Sequence, residues 1–127
     1  KHARNMARNS YHNGHPDLLV GGVYPNNSIK SGTDGVEIKA TTKKGGAVDT
    51  HGARDQNMCV FVYRIDRDAN TPVHARAPLE FYQIYLFAVT VADFRNNPRG
   101  TLGTRTSTLH KDGIKKLRDN WVYREPG

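Results

Sequence analysis

The chain has 127 residues, 36% apolar and 24% charged, which fits one domain spanning residues 1–127; its start at Lys1 is consistent with a piece of a longer protein. No apolar run approaches the roughly 20 residues of a membrane span, and Lys1 to Ser10 lacks the apolar centre of a secretory signal, so no membrane partner is expected. Nineteen Lys and Arg against twelve Asp and Glu give a formal charge of +7, the electrostatic footprint of a polyanion binder; the single Cys59 excludes an internal disulfide and a multi-cysteine zinc site.

Along the chain, Lys1 to Gly14 is polar and basic and reads as a frayed lead-in or short helix. Leu18-Leu19-Val20 is a short apolar strand closed by Gly21-Gly22. Turn signals at Pro25 to Ser28 and at Ser31 to Gly35 precede a second strand, Val36 to Thr41, so the two form a hairpin with a long connection. Lys43 to Gly46 is a basic, glycine-rich loop, and Asp49 to Gln56 reads as a short helix. Met58 to Ile65 is a β-branched and aromatic strand. Leu79 to Ala92 is the longest apolar run, with both faces largely apolar, which predicts a central strand covered on two sides. Asp93 to Ser107 reads as a loop with Arg95, Arg99 and Arg105. His110 to Asn120 reads as a helix that places Leu109, Ile114, Leu117 and Trp121 roughly on one face, and Trp121 to Arg124 as a last edge strand. These elements predict a mixed α/β domain with a sheet of four to five strands.

One combination stands above this background. Pro16-Asp17 opens the first strand, and Glu37-Ile38-Lys39 lies in the second. Side chains at i and i+2 of a strand share a face, so Glu37 and Lys39 point the same way while Ile38 is expected to point into the core. If the strands are neighbours, Asp17 sits beside Glu37. Two adjacent carboxylates repel each other unless a cation bridges them or one is protonated. Mg²⁺ takes one or two carboxylates and leaves positions for water and phosphate. Lys39 beside such a metal would orient a water or stabilise charge on a phosphate, which points to metal-assisted phosphodiester hydrolysis.

His15-Pro16-Asp17 followed by Glu37-Ile38-Lys39 resembles the signature of the PD-(D/E)xK nuclease superfamily, to which many type II restriction endonucleases belong. The resemblance covers roughly Pro16 to Ile65. It implies that Asp17 and Glu37 hold Mg²⁺ with help from the Ile38 backbone carbonyl, that Lys39 is the catalytic lysine, and that Gln56, in a helix after it, joins the site. It also implies a mixed sheet flanked by helices, double-stranded DNA as substrate, and a homodimer where both strands are cut. A microbial cytoplasm is the default location. Many members carry a further acidic residue in a helix before the first strand, whereas nothing acidic precedes Asp17 here. Asp34 competes for the role of first carboxylate, but its Gly-flanked turn makes it a turn residue.

Other residues have plainer readings. His12 and His15 flank Gly14 and precede Pro16, which argues against a helical metal-binding pair and favours phosphate contact. Cys59, Trp121 and the aromatics of Phe81 to Phe87 are expected in the core. Lys43, Lys44, Arg95, Arg99 and Arg105 are candidate DNA contacts, with Arg54 and Arg67 weaker ones. The rival from another class is a basic nucleic-acid-binding module in which Asp17, Glu37 and Lys39 are structural. A third reading keeps the nuclease but assigns it to repair, junction resolution or phage DNA processing.

Overall fold

The computed structural model describes residues 5–97 and 106–127. Its elements in chain order are β1 (Met6–Arg8), β2 (Leu18–Val20), β3 (Gly35–Thr41), β4 (Asp49–Thr50), β5 (Gln56–Arg64), β6 (Glu80–Val89), β7 (Phe94–Asn96), β8 (Ser107–Leu109), α1 (Lys111–Asp119) and β9 (Trp121–Arg124). Six strands form a mixed sheet in the order β1-β2-β3-β5-β6-β9, and β4-β8-β7 form a second, three-stranded sheet. The β3–β5 pair is parallel and every other pairing is antiparallel.

The strong alternation of β5 explains the architecture. Gln56, Met58, Val60 and Val62 are buried on one face, and their partners on β6 are Val89, Phe87, Tyr85 and Gln83. That face packs against Val48, Leu109 of β8 and Leu117 of α1 to form the core. Parallel strands need a crossover, and here residues 42–55 supply it, passing over the core face with Val48 inside. The opposite face of the same strands carries Cys59, Phe61, Phe81 and Leu86, with Phe81 48% and Leu86 46% exposed. Phe61 and Phe81 pack ring to ring at 5.3 Å between centroids.

Several expectations are therefore corrected. The large sheet has six strands rather than four to five, because Met6–Arg8 pairs with β2 instead of fraying or coiling and β9 completes the other edge. A single α-helix is found among the described residues, and with the small sheet it covers one face; helices do not flank both sides. β6 is central but covered on one face only. The segment from Asp49 is not a helix, since Asp49–Thr50 pairs with β8 and Gln56 already belongs to β5. Cys59 lies half-buried on the open face, where burial pushes its thiol pKa up. Trp121 is 51% exposed because α1 ends at Asp119 and the tryptophan opens the edge strand β9. Arg99 and Arg105 lie outside the described residues. The expected loop from Asp93 contains β7, and Ser107 already begins β8.

Asp93 ties these layers together. It closes a capping box with Thr90, accepting from the Thr90 amide at 2.7 Å, and takes the Lys116 ammonium of α1 at 2.7 Å. Asp93 is 3% exposed. Burial pushes its pKa up, but the Lys116 bond, the Thr90 bonds and the Lys116 charge outweigh this and hold it below 3.8. A depressed carboxyl contributes stability that is complete above the unfolded value and is lost as pH falls through the folded one. Asp93→Asn should cost about 2 kcal/mol at neutral pH by urea denaturation. The difference from the wild type should shrink once the pH drops below about 4.

Candidate active site

The antiparallel pairing of β2 with β3 places Leu18 opposite Val36 and Leu19 opposite Gly35, and so brings Asp17, the residue before β2, alongside β3. Gly35 permits this approach: a Cβ there would run into the Leu18 carbonyl oxygen and come within 2.7 Å of Pro16 Cγ. Asp17 Oδ2 accepts a hydrogen bond from the Ile38 amide at 2.8 Å. The N–H and C=O of one strand residue leave from the same edge, so the Ile38 carbonyl shares this flank with Asp17.

Glu37 and Lys39 lie on one face of β3, as their spacing requires. That face is the covered one, since Glu37 pairs with Met58 and Lys39 with Val60. Ile38 pairs with Cys59 on the opposite face, so the expectation that Ile38 points into the core is reversed: the carboxylate, not the isoleucine, is turned inward. Glu37 is 3% exposed. Its Oε1 accepts from Lys39 Nζ at 2.7 Å, and its Oε2 lies 3.3 Å from His15 Nδ1. Burial pushes the Glu37 carboxyl up, but the bond and charge of Lys39, reinforced by both from His15, outweigh it and hold the pKa below the ordinary 4.5. Glu37 is therefore an anion at neutral pH in spite of its burial.

The structure thus brings Asp17, Glu37 and Lys39 together around three consecutive residues of β3. Gln56 is buried on the same face, one strand over and two positions back, and reaches it from a strand rather than a helix. Asp34 is exposed and accepts from the Tyr24 hydroxyl at 3.0 Å, away from the cluster. His12 is exposed, whereas His15 joins Glu37, a role its position beside Pro16-Asp17 signals only once the hairpin register is known. Among the described residues no group of three or more His, Cys, Asp or Glu is gathered as a ready metal cage.

The expected DNA contacts are dispersed. Lys43 and Lys44 are exposed past the end of β3, and Lys44 lines a separate cleft of about 420 Å³ with Arg64 and Arg124. Arg54 is half-buried and donates to the His51 carbonyl at 2.8 Å. Arg67 and Arg95 are exposed. No helix among the described residues is long and apolar enough to cross a membrane. Comparison with known proteins finds no matching family model, curated protein or solved structure.

Because Gly35 sets the distance between the two strands, Gly35→Ala should lower stability by about 1–3 kcal/mol, the usual cost of overpacking. Urea denaturation checks this, and a Gly35→Ala protein as stable as the wild type would show that β2 has room to move.

Proposed function

We propose that this protein is a Mg²⁺-dependent endonuclease of the PD-(D/E)xK type that hydrolyses phosphodiester bonds in double-stranded DNA, in the manner of a type II restriction enzyme or its catalytic domain. The observation that carries this reading is a buried glutamate kept ionised beside a lysine two residues away, with an aspartate docked on the amide between them. Pairing alone would be satisfied on a solvated strand face, where such contacts contribute little. Placing the pair inside, at the flank where a second carboxylate arrives, is costly and suits a site that must hold a cation.

Asp17, Glu37 and the Ile38 carbonyl are hard oxygen donors, and two carboxylates with a carbonyl fit Mg²⁺, which keeps several waters. Bound there, the metal would supply an activated water and Lewis-acid stabilisation of the leaving oxygen. Lys39 would leave Glu37 for a water or a phosphate oxygen, its flexible stem allowing the exchange. His15 would keep Glu37 oriented as Lys39 moves. Gln56 is a neighbour on the same face and carries no chemistry by its geometry alone. A restriction enzyme cutting both strands would act as a homodimer.

The pairing of Glu37 with Lys39 and His15 also fits the rival reading, a basic module that binds nucleic acid without cleaving it. Plasmid cleavage separates the two. Wild type should nick or linearise DNA with Mg²⁺ and be silent in EDTA, and Lys39→Ala should lose about 10²- to 10⁴-fold in rate while binding DNA normally. Asp17→Asn should lose at least as much. Equal binding with and without Mg²⁺, and no cleavage of unmodified or methylated DNA, would favour the binding module.

A further inference from the structure

The loop between β1 and β2 is built more firmly than its exposure suggests. Asn9 is 7% exposed and uses both ends of its amide: Nδ2 donates to the Pro16 and Ile29 carbonyls at 3.0 and 2.8 Å, and Oδ1 accepts from the Tyr11 and Ile29 amides at 3.1 and 3.2 Å. The Asn9 amide donates to the Asp17 carbonyl at 2.9 Å, and the Ser10 amide to the Asn27 carbonyl at 2.9 Å. Gly14 is pressed so close that a Cβ would stand 2.5 Å from the Ile29 oxygen and 2.6 Å from Asn9 Nδ2. The backbone is therefore pinned, and pinned directly to Asp17.

On this rigid base the side chains of Arg8, Tyr11, His12 and Asn13 stand out into solvent. Tyr11 is 44% exposed, and Arg8 enters no ion pair among the described residues. None of the four is consumed by the core. Arg8 through Asn13 enclose a cleft of about 660 Å³, and a neighbouring cleft of about 300 Å³ shares Arg8, Tyr11 and Asn13 and reaches Asp17. The groove is thus continuous from the loop to a candidate metal ligand. Among the described residues lining the two clefts, Arg8 is a cation and Asp17 the one carboxylate.

We infer that this groove holds the nucleotide next to the scissile phosphate of a DNA strand, a reading that rests on the proposed nuclease function. Its three kinds of group match the phosphate, the face of the base and the edge of the base. A guanidinium forks onto phosphate oxygens, an exposed aromatic ring stacks on a base whatever its identity, and an asparagine amide pairs with a base edge. The clefts are of the size that takes small ligands, about 300–1,000 Å³. Preorganisation lowers the ordering cost of binding, which is what the Asn9 clamp supplies.

The test is fluorescence anisotropy of a labelled 30-base-pair duplex, and of one of its single strands, with Ca²⁺ in place of Mg²⁺, followed by plasmid cleavage with Mg²⁺. Arg8→Ala and Tyr11→Ala should fold as the wild type does by circular dichroism and urea midpoint, because both side chains are exposed. Each should weaken binding about tenfold and raise KM in step, whereas Tyr11→Phe, which keeps the ring, should stay within about twofold. A larger loss on the single strand than on the duplex would identify an unpaired base on Tyr11, and an equal loss would identify a contact to the intact helix. Binding and cleavage unchanged in Arg8→Ala and Tyr11→Ala would overturn the inference. Weakened binding in these variants of a protein whose wild type never cleaves would keep the groove as a nucleic-acid site and overturn the nuclease reading instead.

Discussion

A carboxylate turned toward an apolar core has to receive its counter-charges from the fold, and Glu37 receives them from two directions. Lys39 arrives from the same strand, two residues on. His15 arrives from the loop that precedes β2. Leaving an ion buried and unpaired costs several kcal/mol, so the position of His15 is no longer free, and neither is that of the chain that carries it. The Asn9 clamp and the Asp17–Ile38 bond fasten that chain at either side. The N-terminal layer, from β1 to the start of β2, is therefore organised around a single charge on its neighbour β3. The layer is held by polar bonds, four of them made by the Asn9 side chain and one by His15 to Glu37 itself.

The sequence contains three glutamates, and the fold gives them two tasks. Glu80 and Glu125 both bind Arg64, one through Nε and the other through both terminal nitrogens, joining the end of β5 to β6 and to the residue after β9. These groups are about half exposed, and the network is a surface one whose strength salt will reduce. Glu37 differs in its burial and in its partners, a lysine and a histidine in place of an arginine. The contrast shows why counting ion pairs says little about a site: environment separates a solvated latch from a carboxylate that is buried and must stay paired.

Much of this arrangement is legible in the amino-acid order because it depends on local periodicity. The β-branched and aromatic run from Met58 to Ile65, the long aromatic and apolar run that becomes β6 and the apolar spacing of α1 identify those elements from within, as does Val36 to Thr41 for β3. The adjacency of Asp17 and Glu37 follows from a hairpin and a period of two. What escapes is set by distant partners. Met6–Arg8 has no intrinsic strand pattern and is a strand only because β2 lies beside it. Asp49–Thr50 looks helical in isolation but is claimed by β8 from almost sixty residues away. By apolarity Ile38 is the inward residue, yet the covered face belongs to its charged neighbours Glu37 and Lys39. Gln56 is expected in a helix but belongs to β5, since the crossover before it, with its two-residue strand, carries no periodicity of its own.

β7 and β8 form a closed stem. Beyond their pairing, the Asn97 amide donates to the Thr106 carbonyl at 2.9 Å, and its side chain donates to the Thr106 and Thr108 hydroxyls. Ser107 and Thr108 add side-chain bonds to Asn96 and Asp49. The Thr108 hydroxyl takes part in both connections, donating to Asp49 and accepting from the Asn97 side chain, so it joins the small sheet to the crossover that precedes β5. Exchanging that one hydroxyl for a methyl group would be felt on two strands at once, since a buried or half-buried polar group that loses its partner keeps the cost of its lost hydration.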